Sequence, residues 1–142
     1  MGVLTDLVIA DEDDANRIAH SQYPLGEFTG IDIKGIDSVK LTTLHSILSG
    51  MPFEDLLAQY KPVIEASEDG PWVFLLPNDI VERLANLDES GITNISDQWG
   101  ITEEFQLDRW SQNDVTTVLN DIVNLTRQAS AQGKHVFAWM SL

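Results

Sequence analysis

The hydrophobic pattern of the chain predicts three strands, which lie near its beginning, middle and end. Residues 3–10 are apolar at most positions on both faces of an extended segment, with Thr5 and Asp6 as the exceptions. Residues 72–76 form a continuous apolar run, and residues 135–142 carry bulky apolar side chains on both faces. Strands that are apolar on both faces are covered on both sides. We therefore expect helices above and below a small sheet.

Apolar residues at helical spacing predict shorter helices between these strands. Their boundaries are marked by residues that favour helix ends, since Ser and Asn cap the start, Pro fits the first turn and Gly follows the last. One helix is expected to begin at the acidic run 11–14 and end before Pro24. Two more are expected to begin at Ser38 and at Pro52 and to end at Gly50 and at Pro62, and a fourth begins at Asn78. A short extended piece is expected at residues 31–34, and one or two helical turns at 103–110. Residues 90–100 show the least regular pattern.

The longest predicted helix covers residues 112–132. Ser111 is its expected N-cap, with Asp114 at the third helical position as in a capping box. Gly133 is expected in a left-handed conformation just past the helix end. Its apolar stripe consists of Val115, Val118, Leu119, Ile122, Leu125 and Ala129.

These elements predict an α+β fold in a single globular domain spanning residues 1–142. The sheet is expected to be small and mostly buried, with about three strands, several covering helices and the long helix just before the C-terminal strand. The sequence allows two places in the sheet for that terminal strand. At the sheet edge it would pair with a second copy in a homodimer, whereas inside the sheet its faces would be covered by helices in a monomer.

The charge of the chain is strongly negative, with 23 acidic and 8 basic residues and a formal net charge of −15. Nucleic-acid and membrane partners are not expected, because both present negative charge and bind through Lys and Arg. A basic protein partner is favoured by this charge, although net charge also serves solubility alone. One form of this hypothesis is a decoy or inhibitor of a basic protein, as acidic immunity proteins and DNA mimics are.

The compartment predicted for this chain is the cytoplasm. It contains no cysteine, which removes disulfides, thiolate catalysis and zinc fingers, and fits a reducing environment. The first ten residues lack a basic region and a long apolar run, and the acidic run follows them at once, unlike a signal peptide.

Three segments of the chain are similar to segments of known proteins: MGVLTDLVIADEDDA, KGIDSVKLTTLHSIL and GKHVFAWMSL. They resemble the ends and centre of a family of small uncharacterised bacterial proteins, cyanobacterial ones among them. The resemblance covers about a third of the chain. It implies no activity and no catalytic residue.

The chain lacks the residue spacing that known metal-binding, phosphate-binding and nucleophile motifs require. The acidic run 11–14 does not provide the Gly and Glu that an EF-hand loop requires, and the glycines at 30 and 35 do not form a phosphate loop. His20, His45 and His135 form no paired motif. We therefore predict no cofactor, no metal and no catalytic residue.

Aromatic residues among acids give the strongest functional lead. They predict an interaction surface between residues 99 and 110, because such side chains are common in recognition loops. Its members are Trp99, Glu103, Glu104, Phe105, Asp108 and Trp110. The competing interpretation is that the aromatics cover the hydrophobic core.

The function favoured by the sequence is that of a non-enzymatic, acidic binding protein. The alternative is a small enzyme or small-molecule-binding protein whose pocket is assembled only in the fold. A deep polar pocket that joins a histidine to a carboxylate would favour the alternative, and a convex, uniformly negative surface would favour the binding protein.

Overall fold

A five-stranded antiparallel sheet forms the centre of the computed structural model, which describes residues 3–142. The order of the strands across the sheet is β2-β1-β5-β4-β3. The strands are β1 (Leu4–Ala10), β2 (Gly30–Asp32), β3 (Ile64–Glu65), β4 (Trp72–Leu75) and β5 (His135–Ser141). The α+β class is as predicted, but the expectation of about three strands is too low. Of the two additional strands, which lie at the edges, β2 overlaps the short extended piece expected at residues 31–34, and β3, with two residues, leaves no hydrophobic period in the sequence.

Eight α-helices cover the sheet in the described part of the chain. They are α1 (Ala15–His20), α2 (Pro24–Glu27), α3 (Ser38–Ser49), α4 (Phe53–Leu57), α5 (Asn78–Ala85), α6 (Glu89–Gly100), α7 (Glu103–Leu107) and α8 (Gln112–Gln132). A 3-10 turn, Glu12–Asp14, precedes α1, so the acidic run begins the first helical segment as the sequence predicts. None of these helices is long and apolar enough to cross a bilayer.

The prediction of an irregular segment at residues 90–100 is wrong, because this segment is helix α6. The side chain of Asp88 caps α6 by accepting a hydrogen bond from the amide of Gly91 at 2.7 Å. Ile92, Ile95 and Trp99 then recur at helical spacing and are buried. The intervening Ser, Gly, Thr and Asn residues have weak helix propensity, which hides this helix from the sequence pattern, and packing of the apolar face overrides them.

The capping residues were predicted with mixed success. Ser111 caps α8 by accepting from the amide of Asp114 at 3.0 Å, as expected. The cap of α3 is Asp37 rather than Ser38, which is the first helical residue. Asn78 likewise is the first residue of α5, and Pro77 precedes it.

A left-handed residue ends α8, as the sequence predicts. Gly133 has φ 66°, and a Cβ atom placed there would meet no atom within 4 Å. A substitution therefore acts through backbone strain alone. Replacement of Gly133 by valine should lower the free energy of unfolding by about 1–2 kcal/mol, because a β-branched residue is disfavoured at positive φ. Urea denaturation will measure this, and an unchanged midpoint would contradict it.

The sheet separates two hydrophobic layers of unequal size. The larger layer contains Leu7, Ile9 and the buried faces of α3, α5, α6 and α8. The smaller layer contains Val8, Phe137 and Val73 under α1 and α2. The apolar character of both faces of β1 and β5 is thereby explained, because each strand contributes alternate residues to each layer.

The C-terminal strand lies in the middle of the sheet. β5 pairs with β1 from Leu4↔Ser141 to Ala10↔His135, and on its other side with β4. The alternative in which this strand is a free edge that pairs with a second copy is therefore wrong, because both of its edges are occupied. A homodimer through another surface stays a prediction.

The side of the sheet that carries the smaller hydrophobic layer includes a buried acidic residue. Asp6 is only 9% exposed, and its cross-strand neighbours are Asp32 on β2 and Trp139 on β5. The indole Nε1 of Trp139 is buried without a hydrogen-bond partner among the described residues. Burial raises the pKa of the Asp6 carboxyl, and the charge of Asp32 raises it further.

The raised pKa of Asp6 predicts a pH-dependent contribution to stability. Because the folded-state pKa exceeds the unfolded value of 3.8, the free energy of unfolding falls as pH rises through the interval between them. Replacement of Asp6 by asparagine should therefore raise the urea midpoint at pH 7 and have a smaller effect at pH 3. The exposed Asp13→Asn variant is the control. An effect of equal size at both pH values would contradict the prediction.

Candidate binding cleft

Three aromatic rings form a contiguous stack below the surface near the start of α8. Trp99 and Phe105 meet edge to face with their centroids 4.8 Å apart, and Phe105 and Trp110 meet at 5.1 Å. Trp99 and Phe105 are 0% exposed, whereas Trp110 is partly exposed. Only the outermost ring of the stack can therefore touch a ligand.

A buried lysine ties this stack to α3. Lys40 is 2% exposed, and its Nζ donates to the carbonyl of Gly35 at 2.8 Å and to the carboxylate of Asp108. The ammonium lies 5.4 Å from the centre of the Phe105 ring. The backbone carbonyl of Lys40 accepts from Trp99 Nε1 at 3.0 Å. These contacts fix residues 108–110 against α3.

Gly35 is required at this junction for two reasons. Its φ is 93°, a conformation that favours glycine, and a Cβ atom would lie 3.2 Å from Cζ2 of Trp110. The Trp110 ring therefore packs directly over the Gly35 backbone, whose carbonyl receives the Lys40 ammonium.

The turn after α7 holds an arginine in a left-handed conformation. Arg109 has φ 58°, the only positive φ of a non-glycine residue in the described chain. The amide of Arg109 donates to Gln106 and that of Trp110 to Phe105, at 3.2 and 3.1 Å, as in a Schellman motif. Glycine usually occupies this position, so an exposed, charged side chain stands here on a strained backbone.

A cleft of about 590 Å³ opens between this turn, the end of β2 and the first turns of α8. Helix α8 lines it with positions i, i+3, i+4 and i+7, which lie on one helical face. The lining residues are Asp32, Ile33 and Lys34; Asp108, Arg109 and Trp110; and Asp114, Thr117, Val118 and Asp121. A second cavity of about 540 Å³, which Lys40 helps to line, shares Asp108 and Trp110 with it.

The charges of the cleft are mixed, with an acidic excess. Four acidic residues and two cations, Lys34 and Arg109, line it, and one of the acids, Asp108, is paired with the buried Lys40. Within residues 3–142 neither cation forms an ion pair, since the pairs there involve Arg17, Lys40, His45 and Arg83. Asp114 and Asp121 are exposed and likewise have no cationic partner in that range. Such side chains are free to contact a ligand.

The predicted interaction residues separate into three groups. Asp108 and Trp110 line the cleft, while Trp99 and Phe105 are buried beneath it and cannot contact a partner in this fold. Glu103 is exposed and Glu104 half-buried on the first turn of α7, outside the cleft lining. Asp114 and Asp121 also line the cleft and were not predicted as site residues, although their spacing of seven residues places them on one helical face.

The histidines lie elsewhere. His45, in α3, is 1% exposed and contacts α5 and the loop after α4: its Nε2 donates to Asp79 at 2.8 Å, and its Nδ1 accepts from the Tyr60 hydroxyl at 2.9 Å. Asp79 also accepts from Arg83 Nε at 2.9 Å. Hydrogen bonds from His45 and Arg83 lower the pKa of Asp79, and burial raises the pKa of Tyr60. The polar groups satisfy one another, so this cluster links α3 to α5.

Two surface cavities bring a histidine and a carboxylate to one wall. His135 and Glu82 line one of about 500 Å³, and His20 and Glu27 line another of about 540 Å³. In neither case does a hydrogen bond join the histidine to that carboxylate; His20 instead contacts the carbonyl of Asn16 at 2.7 Å. Among residues 3–142 no group of three His, Cys, Asp or Glu side chains is placed to hold a metal ion.

Comparisons with known proteins support the fold and give no activity. No protein-family model matches the chain, and the search of curated proteins gives no match. A crystal structure of YfbM from Escherichia coli, described as a protein of unknown function, is similar to this chain with a TM-score of 0.51. The similarity covers 96% of this chain and 99% of YfbM at 17% sequence identity. At that identity the likeness shows a shared fold alone.

Proposed function

We propose that this protein is a non-enzymatic binding protein that holds a basic segment of a protein partner in the cleft between β2 and α8. The observation that carries the proposal is the chemistry of that cleft. A partly exposed indole, Trp110, lines the cleft together with four acidic residues, of which Asp114 and Asp121 are exposed on α8. An aromatic face next to carboxylates suits Arg and Lys side chains, which stack on the ring and pair with the acids.

The contacts that hold the Trp110 ring in place favour a role for this ring in binding a partner. The ring is held by Phe105 on one side and by the Gly35 backbone on another. Binding sites gain affinity when their contact residues are positioned before the partner arrives. The net charge of −15 adds long-range attraction for a basic partner, which salt weakens beyond ~8–10 Å.

The binding of a basic peptide to charge variants of the protein distinguishes recognition in the cleft from nonspecific attraction between opposite charges. The probe is a capped octapeptide of alternating lysine and threonine, titrated by calorimetry in 50 mM NaCl. The double variant Asp114→Asn/Asp121→Asn should bind about tenfold more weakly than the natural chain, because it loses two contact charges. The control, Asp55→Asn/Asp69→Asn, removes the same charge from exposed positions outside the cleft and should bind nearly as well. Equal weakening by both double variants would contradict the proposal.

A further inference from the structure

The cleft borders an unpaired sheet edge. Among residues 3–142, β2 is the last strand on its side of the sheet and pairs only with β1. The amides of Ile33 and Gly35 donate to the carbonyls of Thr5 and Val3, at 2.8 and 2.9 Å. Alternate residues of an antiparallel edge strand point their backbone groups away from the neighbour. Asp32 and Lys34 therefore direct their backbone groups outward, on the side where they line the cleft.

The outward groups include both a donor and an acceptor. The amide of Lys34 is already occupied by the side chain of Asp32, at 2.9 Å. The amide and carbonyl of Asp32, together with the carbonyl of Lys34, have no hydrogen-bond partner among the described residues. An extended segment placed beside Asp32 would receive and donate main-chain hydrogen bonds there.

The lining of the cleft specifies what such a segment carries. Successive side chains of an added strand point to opposite faces, so every second one would be directed to the face of the sheet on which α8 packs. On that side the cleft presents Trp110, Asp114 and Asp121. Basic residues at every second position complement these groups, and the acidic excess of the cleft disfavours an acidic strand.

We infer that the partner binds by strand addition: an extended segment with Lys or Arg at alternate positions pairs with the edge of β2 at Asp32. This inference rests on the proposed function and adds the binding mode to it. Main-chain hydrogen bonds to β2 hold the segment, and Asp114, Asp121 and Trp110 select its basic side chains. The strained turn at Arg109 borders the same cleft.

The experiment separates backbone pairing from charge. Two capped octapeptides are compared, one alternating lysine with threonine and one alternating lysine with proline, which has the same charge but lacks every second amide. The first should bind at least about fivefold more tightly, the equivalent of about one hydrogen bond. On binding of the lysine–threonine peptide, hydrogen exchange of the Asp32 amide should slow.

Two protein variants provide a matched pair. Asp32→Pro and Asp32→Ser remove the same charge, but only the proline variant also removes the outward amide, and proline is tolerated on an edge strand with that geometry. Asp32→Pro should bind the lysine–threonine peptide about fivefold more weakly than Asp32→Ser. Circular dichroism checks that both variants fold. If Asp32→Pro does not fold, the peptide comparison and the exchange of the Asp32 amide decide.

Each outcome has a distinct meaning. Equal affinity for the two peptides, with no change in exchange at Asp32, overturns strand addition and leaves the proposed function standing. Binding of both peptides that is insensitive to Asp114→Asn/Asp121→Asn overturns the proposed function as well. A dimer in sedimentation that Asp32→Pro abolishes would show that a second copy of this chain occupies the edge, and it would overturn the inferred basic partner.

Discussion

Replacement of Trp99 by alanine is expected to lower the free energy of unfolding by about 3–5 kcal/mol. The Trp99 side chain is fully buried, it packs edge to face on Phe105, and its Nε1 donates to the carbonyl of Lys40. The substitution leaves a cavity in the larger hydrophobic layer and removes the hydrogen bond to the carbonyl of Lys40. Urea denaturation at pH 7, followed by circular dichroism, will measure the loss.

Two further variants separate the contributions of the Trp99 side chain. Trp99→Phe keeps a ring and loses the hydrogen bond, so it should fall between the natural chain and Trp99→Ala. Trp110→Ala should cost less than Trp99→Ala, because the Trp110 ring is partly exposed. A loss below about 1 kcal/mol for Trp99→Ala would show that the residue is not a core residue.

The ion pair of Lys40 and Asp108 should give the second large effect. Asp108→Asn removes the negative charge that compensates the buried ammonium of Lys40, which keeps only neutral acceptors, the carbonyl of Gly35 and the new amide oxygen. Breaking a fully buried pair costs about 3–5 kcal/mol, but the Asp108 side chain is 54% exposed and water offsets part of this. We expect a loss of about 1–3 kcal/mol for Asp108→Asn.

A double-mutant cycle with Lys40→Met isolates this pair. Methionine keeps most of the volume and the flexibility of the side chain and removes its charge, so the Asp108→Asn substitution should cost much less in that background. The measured quantity is the coupling free energy from urea unfolding at pH 7. A coupling below about 0.3 kcal/mol would show that the two charges do not stabilise the turn.

The sequence predicted the elements whose pattern is long and local. β1, β4, β5 and α8 each combine several apolar positions with a clear end, such as Ser111 and Gly133 for α8. Of the edge strands, β2 was expected only as a short extended piece and β3 is too short to show a period. Both form because β1 and β4 offer them a pairing partner. Helix α6 was missed because its polar positions are poor helix formers, and only tertiary packing stabilises it.

The candidate site was predictable only in part for a similar reason. Asp108 and Trp110 were found because aromatics and acids are close together in the sequence there. Lys40 lies within the leucine stripe of α3, where a charge normally points to solvent, and its burial depends on a partner 68 residues away. No local pattern shows such a contact. The cleft itself forms where β2, the 108–110 turn and α8 meet. The spacing of residues along the sequence does not show that these three segments are neighbours.

The central position of β5 has a consequence for how the protein acquires its fold. β5 joins two hairpin-like units, β2 with β1 and β4 with β3, that have no hydrogen bonds to each other without it. Because β5 follows every other described element in the chain, the sheet cannot be completed during synthesis until that last strand has left the ribosome. Pairing across almost the whole described sequence also raises contact order, which slows folding. Until β5 has emerged, β1 presents a long unpaired apolar strand, which exposes the unfinished sheet to aggregation.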